Sequence, residues 1–228
     1  MDIKLNFINQ SDDQNNSEVV ICAKSGGSGL GFINKSNDAN NSEIVIFQET
    51  APAGETAVAW IVIQNCGRGD NHPFTYVPDI AIGASDSYGN YTPHFPAKPG
   101  QVWEMVRTGS GDQLQLSSQT APPEAYGLRN GLAPGAIGAR IYRSDKLYAT
   151  WDGIQPQQTV LFAFKPTIFI GAVSQVEEGQ VLNPAILSQI KTEISLIGIA
   201  SADIVMTGGG SGPDAKPFIF TLQNVVAA

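Results

Sequence analysis

Apolar residues in this chain come in short blocks rich in Val, Ile and Phe, such as AVAWIVI and KPTIFIGAV, and Gly or Pro punctuation closes the blocks. An ordinary helix needs an unbroken 3.6-residue periodicity, which 24 glycines and 14 prolines spread over 228 residues rarely permit. Short β-branched runs between turn residues are instead the pattern of many strands. The pattern predicts strands over 3–8, 18–24, 30–34, 43–49, 56–65, 73–83, 101–107, 112–117, 136–143, 146–151, 158–164, 167–174, 192–199, 202–207 and 217–225.

Several joints carry their own turn chemistry. VWEMVRTGSGDQLQL turns at Gly109 and Gly111, ARIYRSDKLYATW turns at Ser144-Asp145, and IVMTGGGSGPDAKPFIFTL has a long Gly-rich tip. NPAILSQI is the best helix candidate, with Asn183 as N-cap and Pro184 at the first helical position. Hairpins without alternating helices predict an all-β fold, an antiparallel β-sandwich of Ig-like or jelly-roll type with at most one short helix.

The chain also repeats itself. With a shift of 25 residues, positions 5–24 match 30–49 at 12 of 20 places: Leu5 falls on Leu30, Phe7-Ile8-Asn9 on Phe32-Ile33-Asn34, and Asn15-Asn16-Ser17-Glu18 on Asn40-Asn41-Ser42-Glu43. Each copy reads as strand, Asx-rich loop, strand. A solenoid needs at least three units and nothing after residue 49 keeps the period, so the duplication is local. Residues 1–29 then form a duplicated hairpin plus SGGSG, whose composition is that of a flexible linker, and 30–228 form a single sandwich domain. The first copy is an ordinary extra hairpin, a strand donor to a neighbouring subunit, or an engineered graft. Two near-identical strands competing for one edge leave a spare that can join another chain's sheet, so self-association through an edge strand, by domain swapping or head-to-tail assembly, is expected.

Composition bounds the partners. Hydrophobic residues make up 42% and charged residues 15%, which is globular, and a formal net charge of -8 with scattered Lys and Arg argues against a nucleic-acid backbone and against anionic lipid. The opening Met-Asp-Ile-Lys-Leu-Asn lacks a basic stretch leading into an apolar one, so no signal peptide is expected, leaving a cytoplasmic place or a non-classical export route. Cys22 and Cys66 match neither a zinc spacing nor a redox pair, so they read as incidental thiols or a single disulfide.

Residues with chemistry are few. His72 and His94 sit in Pro-flanked stretches near Asp70, Asp79 and Asp86, enough to draw a two-His-one-carboxylate iron site but without supporting spacing. No nucleophile elbow, zincin motif, phosphate loop or dinucleotide fingerprint is present, and Glu177-Glu178 would point to opposite faces of a strand. Arg68-Gly69-Asp70 is a common triplet, and the sequons at Asn15, Asn40 and Asn90 matter only in a glycosylating pathway. Trp60, Phe162, Phe164, Phe169 and Phe218 fall in apolar runs and read as core. Tyr88, Tyr91, Tyr126, Trp103 and Trp151 lie near loop or polar context, where core or hairpin packing is the first reading and a ring that stacks on a sugar or anchors a partner the second.

The stretches FINKSNDANNSEIVIFQ, AVAWIVI, KPTIFIGAVSQVEEGQVLN and ADIVMTGGG resemble a bacterial β-sandwich family related to the rhizosphere protein RhiA, from about Phe32 to Val225. The resemblance implies a small bacterial protein of unsettled activity, some relatives being labelled aromatic ring-opening dioxygenases. Residues 1–29 depart from the family pattern. Three functions follow: a non-enzymatic binding or self-assembling protein without cofactor, a secreted effector or toxin recognising a glycan or membrane of a target cell, or a non-haem iron dioxygenase using His72 and His94. The binding residues expected for the first two are Asn15, Asn16, Asn40 and Asn41 of the repeat loops with Tyr88, Tyr91, Trp103 and Trp151.

Overall fold

A computed structural model describes residues 3–4, 17–19, 29–36, 43–47, 55–66, 71–190, 192–210 and 212–228. Its strands, in chain order, are β1 (Ile3–Lys4), β2 (Ser17–Val19), β3 (Gly29–Ser36), β4 (Glu43–Phe47), β5 (Glu55–Ala57), β6 (Ile61–Cys66), β7 (Asn71–Tyr76), β8 (Ile80–Asp86), β9 (Phe95–Ala97) and β10 (Gln101–Thr108). They continue with β11 (Gly111–Thr120), β12 (Tyr126–Asn130), β13 (Ile137–Arg143), β14 (Lys146–Ile154), β15 (Thr159–Phe162), β16 (Thr167–Val173), β17 (Thr192–Ser195), β18 (Ile199–Gly209) and β19 (Lys216–Ala227). A single turn of 3-10 helix, Gly212–Asp214, and the α-helix α1, Pro184–Gln189, are the helical pieces among the described residues. The protein is all-β. Helix α1 starts where the sequence places it, with the Asn183 side chain accepting from the Ile186 N–H at 2.9 Å and Pro184 in the first turn.

The chain divides into two compact units. The first comprises 1–49, 58–78 and 166–228. It holds a sheet ordered β17–β16–β4–β2–β6, a sheet ordered β19–β18–β3, and the ribbon β1–β7. Its core gathers Val45, Trp60, Ile63, Tyr76, Ile168, Ile170, Leu196 and Ile204, with Trp60 edge-on to Tyr76 at 6.4 Å. Helix α1 lies close against β16: a Cβ on Gly171 would come within 2.6 Å of Ile190 Cγ2, so only glycine permits the contact.

The second unit comprises 50–57 and 79–165. It holds a four-stranded sheet ordered β11–β10–β12–β15 and a five-stranded sheet ordered β5–β14–β13–β8–β9. Alternate residues of β8 (Ile80, Ile82, Ala84) and β13 (Ile137, Ala139, Ile141) are buried, as the period of two requires, and each buried Ile contributes roughly 1.5–3 kcal/mol. An aromatic cluster joins the two sheets: Trp151 of β14 stacks on Phe162 of β15 at 5.2 Å, and Tyr126 of β12 lies parallel to Phe162 at 6.0 Å. The β13–β14 hairpin closes on Ser144 and Asp145, both at positive φ (50° and 60°), the two-residue turn whose twist matches its strands.

Several boundaries differ from the sequence reading, and the run expected as one strand over 56–65 is two, β5 and β6, which belong to different units. The run expected as one strand over 73–83 is two strands, because Pro78 offers no N–H to a ladder and the chain passes there from the first unit to the second. Strands β9 and β12 were not expected: β9 contains Pro96 and sits at a sheet edge, where a missing donor is tolerated.

Candidate functional site

Two places stand out, one in each unit. In the first unit, both copies of the repeat bring their second strand to the same address. Ile63 of β6 is registered against Ile44 of β4, in the second copy, and also against Val19 of β2, in the first. Val19 and Ile44 are the same position of the repeat, and they are themselves registered to one another in a parallel bridge. Along Ile44–Ile46, β4 already has β16 on one side and β6 on the other. A strand has two hydrogen-bonding edges, so β2 is a third claimant at Ile44. The Asx-rich loops of the repeat, with Asn15, Asn16, Asn40 and Asn41, lie outside the described residues, as do Cys22 and the triplet at 68–70.

In the second unit, a cleft of about 500 Å³ opens beside the loop after β8. The loop is held by Asp86. Its Oδ1 accepts from the backbone N–H groups of Tyr88 (2.8 Å) and Asn90 (2.9 Å), and its Oδ2 accepts from Asn90 Nδ2 (2.7 Å). The Asn90 contacts and the turn's other N–H groups hold the Asp86 carboxyl below its usual range. Gly89, at φ +85°, completes the turn. Tyr88 is thereby put at the tip, 90% exposed.

Tyr91 follows at the mouth of the cleft, 64% exposed. Its ring is braced: the Arg140 guanidinium lies 5.9 Å from the ring centroid. Arg140 is fixed in turn by Asp152 at 2.7 Å and by the carbonyl of Ala139 at 2.9 Å. The depth of the cleft is apolar, lined by the buried Met105 and Leu114 and by Phe95. Phe95 is itself stacked on Trp103 at 5.2 Å and 12°. The rim is polar, with Asp86, Asn90, Thr92, Asp112 and Gln113. Asp112 pairs with Arg107, and Gln113 Nε2 donates to Ser110 Oγ at 3.0 Å.

The aromatic residues expected at a binding surface therefore separate. Tyr88 and Tyr91 are displayed together on the 86–91 loop, and Trp103 supports the cleft through Phe95. Trp151 is a correction: it is 3% exposed, because it sits on the core face of β14 against Phe162, and cannot meet a ligand at the surface. Tyr126 is likewise buried, and burial pushes its phenol up from its ordinary value. Sequence reading missed the rim residues Asp86, Asn90, Thr92, Asp112 and Gln113; the Asp-x-Tyr-Gly-Asn spacing of a tight Asx turn with an aromatic at its tip was the signal available.

His72 lies in β7 of the first unit and His94 in the second, where it stacks on Tyr142 at 4.4 Å and meets Asp145 at 3.3 Å. Among the described residues, no three His, Cys, Asp or Glu side chains gather as they would around a metal ion. Among them, too, no helix is long and apolar enough to cross a membrane.

The class these observations define is an all-β protein with a duplicated strand in one unit and a braced aromatic cleft in the other. No family model, no curated protein and no solved structure matches the chain.

Proposed function

We propose that the protein is a non-enzymatic, self-assembling β-protein in which one copy of the repeat completes the home sheet and the other completes the same position in a neighbouring chain. The observation that carries this reading is the double registration of Ile63 with Val19 and Ile44. Because the two copies present closely similar residues to Ile63, Val19 in one and Ile44 in the other, the free energy of pairing at home and the free energy of pairing abroad differ little. Exchange then gains no new type of contact, and it relieves the crowding of three strands at Ile44. The SGGSG segment supplies the reach. A donor that leaves one chain and enters the next, which donates in turn, makes a heterologous contact; assembly closes into a ring or runs on as a filament according to the rotation it imposes.

Ser17 of β2 stands opposite Cys66 of β6, which provides a direct test. A Ser17→Cys change in a Cys22→Ser background places two thiols across the pairing of the first copy with β6. Oxidation of the full chain and electrophoresis without reductant should give covalent dimers and larger species, and mixing tagged and untagged chains should give mixed ones. Cross-linked monomer alone, at every protein concentration, would overturn the proposal.

A further inference from the structure

The cleft of the second unit is furnished for a particular chemistry. Its lining carries two carboxylates, Asp86 and Asp112, and no Lys or Arg, so a phosphate, sulfate or carboxylate ligand would meet only repulsion there. A cation is no better served. The Asp112 charge is already paired with Arg107, and the acceptor positions of Asp86 are largely filled by the three N–H donors of its own turn, which leaves a bare cation few ligands. What remains is lone-pair capacity: of a carboxylate's roughly four acceptor sites, Asp86 keeps what its own three N–H donors leave and Asp112 keeps those of Oδ2 that Arg107 does not take, its Oδ1 being buried, and the side-chain carbonyls of Asn90 and Gln113 add more. Thr92 adds a hydroxyl, whose oxygen already accepts from the Ala84 N–H at 2.9 Å and whose proton is left to give. Such a rim suits a ligand with many neutral hydroxyl donors.

The apolar half of the site agrees. Tyr91 presents a largely exposed ring with a fixed guanidinium 5.9 Å from its centroid, so it does not have to be ordered when a ligand arrives. The negative face of an aromatic ring attracts the C–H-rich face of a sugar ring, and a sugar is the hydroxyl-rich molecule that also has such a face. The volume of about 500 Å³ is in the range of small-ligand clefts.

We infer that the cleft between Tyr91 and Gln113 is a binding site for a neutral saccharide, with a sugar ring on the exposed ring of Tyr91 and its hydroxyls donating to Asp86, Asn90, Asp112 and Gln113. The site involves no residue of the repeat and stands independently of assembly.

The test uses the full chain and six probes: cello-, malto-, manno- and N-acetylated chitohexaose as neutral saccharides, a heparin hexasaccharide as the anionic one, and de-acetylated chitosan hexamer as the cationic one. Calorimetry reads affinity, and amide NMR reads whether the side chains of Asn90 and Gln113 move. At least one neutral saccharide should bind and shift both amides. Tyr91→Ala should then weaken it on the order of tenfold, the loss expected when one stacking ring is removed. Tyr91→Phe, which keeps the ring, should stay within about twofold of the parent. Tyr91 is exposed, so neither change threatens folding. The inference fails if no neutral saccharide moves those amides, if the heparin or chitosan probe binds as well as the best neutral one, or if Tyr91→Ala binds like the parent.

Discussion

Asn130 illustrates how one polar side chain organises a unit. It is fully buried at the end of β12, and its amide spends every group: Nδ2 donates to the carbonyls of Gly135 (2.8 Å) and Ile154 (2.9 Å), and Oδ1 accepts from the Leu132 N–H (3.1 Å). Replacing it with Leu enlarges the side chain and strands two buried backbone groups, the Ile154 carbonyl and the Leu132 N–H, each of which then bears a desolvation penalty of about 1–3 kcal/mol. Asn130→Leu should therefore lower the thermal midpoint of the second unit markedly, while Asn130→Asp, which exchanges a double donor for an acceptor, should be worse still. Circular dichroism melts decide it, and an unchanged midpoint for Asn130→Leu would contradict the role assigned to the network. At this scale the sequence told part of the story. It placed Trp60 and Phe162 in the core, where they are, and left Trp151 between the core and a binding surface; the core holds it. Of the polar neighbours of Trp151 in sequence, Asp152 is exposed and Thr150 is buried, and single-chain context does not say which face a lone Trp takes.

At the scale of elements, the shape of the 86–91 loop depends on a charge. Asp86 is held below its ordinary 3.8 first by the side-chain bond from Asn90, then by backbone N–H groups. A carboxyl whose folded value is depressed stabilises the fold above the unfolded value and loses that contribution as the pH falls through the folded one. The loop should thus keep its form through neutral and mildly acidic solution and relax only at pH values below 3.8. Carboxyl-carbon NMR should find the Asp86 midpoint under 3.8, and Asn90→Ala should bring it upward toward that value; a parent midpoint at or above 3.8 would refute the arrangement. Elements also show why some strands were legible and others not. The β10–β11 and β13–β14 hairpins announce themselves by alternation and turn residues. Strand β12, YGLRN, does not: it runs parallel to β10, and its Gly127 reads as a breaker. In the fold that glycine permits close approach, since a Cβ there would sit 2.8 Å from Val102 Cγ2.

For the whole molecule, charge and the duplicated strand act against each other. A net charge of -8 at pH 7 makes chains repel, and an isoelectric point near 4.6 means that repulsion fades on mild acidification. Assembly by strand exchange should therefore strengthen as the pH falls from 7 toward 4.6, seen as a rise in mass by light scattering that reverses on return. Val19→Pro, which removes an N–H from the first copy, should abolish that rise. Plain isoelectric precipitation would not notice the substitution, so an equal rise in the variant counts against exchange. The sequence made the duplication obvious, but it did not disclose that Val19 and Ile44 answer to one residue of β6, because register is a relation between distant segments.

That shared partner also bears on how such a chain can change over generations. Where two segments are registered to one position, the home sheet can keep that position when either is damaged, although an assembly that uses both cannot. Cys22, standing where the second copy has Phe47, is a difference the two copies already carry. Redundancy of this sort lets a sheet be rebuilt from a spare while the original acquires another use.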